Sequence, residues 1–244
     1  MKYEGWKGQI RESLHILFAL LFTGEYKLML RLVRTSSLGD LSSYVENIAL
    51  YRCVKEAWGE GSIVEIGSFK GRTTVSLARA SSQAKKQKVY AIDPLEDPAI
   101  RQQFLENVKN SGAADLVIPI FKKSAEAGVE CQGPIRLLFI DGCHEYAAVK
   151  EDILLWKEKL IDGGVIAMHD YVAENPPDFI SGVKKAIEEC ILNSPEFIAE
   201  GHIDTLFFAS KRISQNKELF TKIRSIEKWR QRFKALIDKG VLRY

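Results

Sequence analysis

The sequence predicts an α/β protein: a doubly wound, mostly parallel, seven-stranded sheet with a terminal antiparallel hairpin strand, plus helical extensions at both ends. Three observations predict it. From Ser62 onward, short apolar runs alternate with segments of helical rhythm. These runs are apolar throughout, as strands covered on both faces of a parallel sheet are. The last two, "EFIAEG" and "TLFFAS", are joined only by "GHID". That is too short for a crossover helix, so Thr205–Ser210 must return antiparallel to Glu196–Gly201.

Taken in order, "YVENIALYRCVKEAW" is a helix, entered from the polar joint "TSSLGDLSSY" (Thr35–Tyr44), which ends in N-cap residues. "IVEIG" is the first strand, and "GRTTVSLARASSQ" a helix opening on Gly71. "KVYAID" is the second strand; its helix, "PAIRQQFLENVKNSG", is closed by Gly112. "LVIPIF" is third, followed by the short helix "SAEAG". "IRLLFID" is fourth, and "EYAAVKEDILLWKEKLI" a helix stopped by Asp162-Gly163-Gly164. "GVIAMHD" is fifth, with "DFISGVKKAIEECI" as its helix. Right-handed crossovers wind these units into one sheet.

The domain proper spans 44–210, between an N-terminal helical extension (1–43) and a basic amphipathic helix (211–244). "LHILFALLF" (Leu14–Phe22) invites a signal-peptide reading, but His15 interrupts it and no small-residue cleavage site follows. It is also far shorter than the ~20 residues a membrane span needs. Ile10–Val33 therefore reads as one or two amphipathic helices that pack on the core, on a second subunit or on a membrane surface. In the tail, Leu219, Phe220, Ile223, Ile226, Trp229 and Phe233 keep a helical rhythm, and Lys and Arg fill the other face. Such a helix docks on the domain, joins two subunits into a homo-oligomer through the terminal helices, or touches an anionic membrane peripherally.

A chain of 244 residues, 46% hydrophobic, is long enough for one sizeable core. Its net charge of +3 is too mild to argue for nucleic acid as a partner. Cys53, Cys131, Cys143 and Cys190 show neither CxxC nor zinc-type spacing, which suits a reduced, cytoplasmic protein.

In sheets of this kind ligands bind beyond the carboxyl ends of the strands, where strand order reverses. The first strand ends "VEIGSFKGRTT". Gly67 and Gly71 sit at its strand-to-helix turn, which either presents N–H groups to an anionic ligand or simply turns the chain tightly. The turn is neither G-x-G-x-x-G nor G-K-[ST], so it indicates neither a dinucleotide nor a P-loop. Asp93 ends the second strand, where an acid either binds ribose hydroxyls or caps the following helix. Taken together, turn and acid point to a nucleoside ligand. "IDGCHEY" (Ile140–Tyr146) and "AMHDY" (Ala167–Tyr171) then place two of the four histidines beside aspartates, at the ends of the fourth and fifth strands.

"VEIGSFKGRTTVSLA", "VYAIDP", "FIDGCHEYAAVKEDILLWKEKLIDGGVIAMHDY" and "GVKKAI" resemble the motifs of class I S-adenosylmethionine-dependent methyltransferases, which are Rossmann-like. Within that family they are most similar to the branch of macrocin O-methyltransferase and cephalosporin-hydroxylase-like enzymes. The resemblance runs from Tyr44 to Ser210. It implies an O-methyltransferase that uses S-adenosyl-L-methionine to methylate a hydroxyl of a sugar, glycan or other small-molecule acceptor. By position it implies that Glu65 and Gly67 hold the methionine end of the cofactor, that Ser68 and Gly71 line the turn, and that Asp93 binds the ribose. Ser124 would lie by the adenine, and Asp141 would border cofactor and acceptor.

A sulfonium is already an activated donor, so the protein has to align the acceptor and remove its proton. His144, titratable near neutrality, is the candidate general base beside Asp141; its alternative is an inert histidine at a helix N-terminus. Asp141 and Asp170, from neighbouring strand ends, can hold a divalent cation such as Mg²⁺. The resemblance to metal-dependent catechol-type O-methyltransferases adds His169 to that set. His169 stands where those enzymes have an acid, and imidazole suits Mg²⁺ poorly. Two other readings compete. One is an NAD-dependent oxidoreductase, against which the missing third glycine counts. The other is a non-enzymatic adaptor with a vestigial pocket, whose basic tail binds membrane or nucleic acid.

Overall fold

Seven strands form one sheet in the order β3-β2-β1-β4-β5-β7-β6. They are β1 (Ser62–Ile66), β2 (Val89–Ile92), β3 (Val117–Ile120), β4 (Ile135–Ile140), β5 (Leu160–Met168), β6 (Phe197–Ile203) and β7 (Leu206–Lys211). The computed structural model describes residues 43–131 and 133–226. The expected helices of the N-terminal extension, and the tail beyond residue 226, lie outside the described residues.

Strands β1 to β5 pair in parallel, and β7 runs antiparallel to both β5 and β6. The predicted hairpin is therefore present, inserted so that β7 lies against β5. Phe207 pairs with Met168, which brings the β6–β7 turn to the carboxyl end of β5. That turn is tighter than "GHID" suggested. A register shift between Ala199 and Gly201 draws Gly201–Ile203 into β6, leaving only Asp204 and Thr205 between the strands. Strand order reverses between β1 and β4, so their carboxyl ends form the crevice.

The helices are α1 (Tyr44–Glu56), α2 (Arg72–Ser82), α3 (Pro98–Lys109), α4 (Ser124–Ala127), α5 (Tyr146–Trp156), α6 (Ser181–Ile187) and α7, described over 217–226. A capping box opens α1: the Ser43 side chain accepts from Glu46 N–H, and the Glu46 side chain accepts from Ser43 N–H. Asp97 caps α3, with Pro98 in its first turn.

Two boundaries differ from the sequence reading. After Trp156 the chain tightens into a 3₁₀ turn (Lys157–Lys159) and β5 starts at Leu160, ahead of the expected Gly164. Lys211, itself buried and the last residue of β7, donates to the carbonyls of Lys157 and Leu160 and so ends the helix from outside. The helix after β5 is mixed, with a 3₁₀ turn (Asp178–Ile180), then α6, then a π turn (Glu188–Leu192).

Side chains alternate across the strands, so each face of the sheet carries its own core. Ile63, Leu137, Phe139, Val165, Ala167 and Phe208 face α1, α2, α3 and α7. Val64, Ile66, Leu138, Ile140, Ile166 and Met168 face the other way, onto Trp156, Val183 and Ile187. Leu219, Phe220 and Ile223 of α7 are buried in the first core, with the Phe220 ring 5.6 Å from that of Phe208. Arg136 interrupts the apolar pattern of β4. It is fully buried and donates to the carbonyls of Val54 and Ala57 at the end of α1, where a cation offsets the helix dipole. The C-terminal end of α1 is thus held against the sheet. Among the described residues no helix is long and apolar enough to cross a membrane.

Candidate active site

Glu65 follows Ile63 by two residues on β1 and therefore faces α2. It is fully buried, and Ser68 Oγ (2.9 Å) and the Thr74 hydroxyl donate to its Oε2, while Oε1 has no partner. Burial raises its carboxyl to about 8; the two hydroxyls pull it back, and Asp141 and Asp93 push it further up. Gly67 lies just past the strand at φ 89°, and a Cβ there would stand 2.0 Å from the Asp141 carbonyl oxygen. Only glycine lets the end of β1 pass this close to the end of β4. Gly71 starts α2 in the left-handed region, with Phe104 filling the space a side chain would take.

Asp93 does something the sequence reading did not foresee. Its Oδ2 accepts from the N–H groups of Ser68 (3.0 Å) and Phe69 (2.9 Å), and its Oδ1 from Leu95 N–H (3.1 Å). It ties the loop after β1 to the end of β2, and Oδ1, which accepts one N–H, keeps a lone pair for a further donor. It is not the helix cap; Asp97 is. Ser124 begins α4, where Trp156 Nε1 donates to its Oγ (2.8 Å) and its hydroxyl bonds Asp152, whose carboxyl burial raises to about 6. The Ser124 hydroxyl is thus engaged with α5.

On β4 and β5 the alternation carries Asp141 and His169 to the α1 face. His169 is buried, with Nδ1 3.2 Å from Asp141 Oδ1 and 3.3 Å from Asp170 Oδ2, and Nε2 3.4 Å from Glu46 Oε2. Neither carboxylate lies along the Nδ1–H direction well enough for a hydrogen bond, so charge holds that contact. Burial alone would lower the imidazole; Asp141, Asp170 and Glu46 reverse this and raise it to about 12. The surrounding carboxylates thus favour the imidazolium form of His169. Burial acts on Glu46 in the opposite sense, but His169 and the donors at Thr205 and Ser43 bring it down to about 2. Thr205 donates to Glu46 Oε1 through both its N–H (2.9 Å) and its hydroxyl (2.7 Å). Burial keeps Asp141 above the usual carboxylate range despite His169. At Asp170, His169 and His144 outweigh burial and hold it below that range.

Asp170 has φ 59°, uncommon for a non-glycine residue. There the strand alternation ends, and its Oδ2 lies 2.9 Å from Nε2 of the half-exposed His144. The backbone of His144 is itself fixed, since α6 packs so close that a Cβ on Gly182 would meet its carbonyl oxygen at 2.3 Å. One ligand atom each from Asp141, His144 and Asp170 can gather within 4.8 Å of one another. This cluster shares Asp141 and Asp170 with the expected metal set of Asp141, His169 and Asp170 but brings in His144. His169 has both nitrogens turned to carboxylates. Glu46 and Thr205 escaped the sequence reading. "SYVE" at Ser43–Glu46 announces a capping box, but nothing local shows its acid reaching the fifth strand.

Residues 64–171 match the family model described as a methyltransferase domain. The fold is a methyltransferase fold. The O-methyltransferase TomG from Streptomyces achromogenes, solved with S-adenosylmethionine, superposes with a TM-score of 0.58 at 16% identity, over 82% of this chain and 96% of its own. The cofactor-bound protein Rv0187 from MTB gives 0.60 at 19%, over 82% and 95%. CalS11, a TDP-rhamnose 3'-O-methyltransferase of calicheamicin biosynthesis, gives 0.51 at 15%, over 68% and 77%. In this methyltransferase fold the ends of β1 and β2 abut the tip of β4. Gly67 touches Asp141, and Asp93 holds the loop that carries Ser68, whose hydroxyl bonds Glu65.

Proposed function

We propose that the protein is an S-adenosylmethionine-dependent O-methyltransferase of the macrocin-type branch, acting on a hydroxyl of a sugar, glycan or related small molecule. The observation that carries it is the continuity of the site. Residues expected at the cofactor (Glu65, Gly67, Ser68, Asp93) abut those expected at the acceptor (Asp141, His144). The sugar-modifying character of the branch that the motifs resemble supports the acceptor class.

When bound, the cofactor supplies a methyl group activated on a sulfonium. The residues fit it: the orphaned, buried Glu65 Oε1 is completed by a cationic head such as an ammonium, directly or through one water. Gly67 keeps the path between the strand ends clear. His144 Nε2 faces Asp170 Oδ2, which favours the tautomer protonated at Nε2 and leaves Nδ1 to take the acceptor's proton. Asp170 thereby orients the base, a division of labour common to histidine–carboxylate pairs.

The convergence of Asp141, His144 and Asp170 favours a second reading of the same site. Two carboxylates and an imidazole suit Mn²⁺, Fe²⁺ or Zn²⁺ better than Mg²⁺, and a cation held there would lower the pKa of an acceptor hydroxyl. Calorimetry with S-adenosylmethionine tests the first step, and absence of binding at high micromolar cofactor overturns the proposal. Transfer of labelled methyl to a panel of nucleotide sugars and catechols then defines the acceptor.

A further inference from the structure

We propose that Glu46 is a positioning residue for the reacting cluster: acting from α1, it fixes the His169 ring and, through it, the carboxylates that hold His144. This rests on the reading of Asp141, His144 and Asp170 as the reacting groups.

Glu46 is only 2% exposed yet makes polar contacts with three separate pieces of chain. Ser43 N–H donates to Oε2 (2.7 Å), which also lies 3.4 Å from His169 Nε2; Thr205 N–H (2.9 Å) and hydroxyl (2.7 Å) donate to Oε1. His169 and Thr205 are 123 and 159 residues away in sequence. A capping box does not need such burial, because a solvated Glu or Gln at that position caps equally well. Burying a carboxylate is unfavourable unless it is paired, and the partner provided here is an imidazole. The other nitrogen of that ring lies 3.2 Å from Asp141 and 3.3 Å from Asp170, and Asp170 is 2.9 Å from His144. The contacts thus run unbroken from α1 to the candidate base. Their anchor is rigid, because Arg136 holds the far end of α1.

The Glu46→Gln variant tests this without an acceptor. With only four histidines in the chain, ¹H–¹⁵N spectra of histidine-labelled protein at one near-neutral pH resolve His144. The wild type should show a single His144 tautomer, protonated at Nε2. E46Q should show averaged ring nitrogens at His144 with S-adenosylmethionine affinity unchanged. Glu46→Asp, which keeps the charge, should restore the wild-type pattern in part, and any acceptor found should be turned over by E46Q about 10–100-fold more slowly. Ser43→Ala removes half of the capping box and should lower the Tm while leaving His144 as in the wild type. If E46Q does not fold, Thr205→Val loosens the same carboxylate and should broaden the same signals. Wild-type His144 signals in E46Q, or in T205V where E46Q is unfolded, overturn the proposal, as does an equal change in S43A. A wild-type His144 already averaged between tautomers refutes the reading of the His144–Asp170 pair instead.

Discussion

Replacing Glu65 by Gln separates two consequences of burying that acid. Its carboxyl rises from 4.5 to about 8, chiefly through burial. At 1.36 kcal/mol per pH unit, the folded protein therefore favours the protonated form by on the order of 5 kcal/mol. The sign follows from linkage. The folded state keeps a proton that the unfolded chain has lost, so this contribution to stability is complete below about pH 4.5 and falls away as pH rises to about 8. Glutamine carries no such charge and still offers one oxygen to the Ser68 and Thr74 hydroxyls. E65Q should therefore gain stability relative to the wild type progressively between about pH 5 and pH 8, then level off. Urea unfolding of the cofactor-free protein across that range measures it, and parallel wild-type and variant profiles would refute the reasoning. The same substitution should weaken S-adenosylmethionine binding by about 10–100-fold, the worth of a hydrogen bond to a charged group. Near neutral pH, wild-type binding should also release a proton, seen as a binding heat that depends on the buffer, and E65Q should release none.

Further outcomes follow from the same geometry. His144→Ala should reduce turnover by ~10²–10⁴ with cofactor affinity kept; wild-type turnover rejects the base. If a cation works at Asp141, His144 and Asp170, EDTA should abolish turnover and Mn²⁺ should restore it better than Mg²⁺. Turnover indifferent to EDTA rejects that reading. Gly67→Ala places a methyl 2.0 Å from the Asp141 carbonyl at a positive φ. It should cost well over ~1 kcal/mol of stability and remove cofactor binding, as unfolding and calorimetry will show.

The strands were legible because a parallel sheet needs uninterrupted apolar runs, and the hairpin because four residues cannot cross a sheet. The glycine turn was legible because only glycine tolerates what Gly67 does. What stayed hidden was set from far along the chain. Leu160–Asp162 continues a helical rhythm, and it is Lys211, arriving on β7, that ends the helix. Ser124 sits where a ligand was expected, yet its hydroxyl is taken by Trp156 and Asp152. His169 and Asp170 are adjacent in sequence and read as one pair. The alternation of β5 buries the first against α1, while the left-handed backbone of the second turns it to His144. A motif records that both residues are present; the backbone decides which of them is buried and which faces His144.

Methyl transfer from a sulfonium to an oxygen anion destroys charge, so fixed charge beside the methyl group stabilises reactants more than the transition state. Under the proposed function the cofactor side is neutral before binding, and the charges of the acceptor side are paired with one another. The buried acid of β1, Glu65, holds its proton up to about pH 8, and on the proposed function it is neutral until a cationic head takes the proton's place. On the proposed acceptor side Asp170 lies against His144, and His169, between Asp141 and Asp170, offsets their mutual repulsion when protonated. His144 Nε2 can either donate to Asp170 or ligate a cation, but not both at once. Orientation of the proposed base by Asp170 and cation binding are therefore alternative uses of Nε2, and either calls for Asp141 and Asp170 to be held in place. On the role proposed for Glu46, that need accounts for a carboxylate of the α1 capping box being buried against His169.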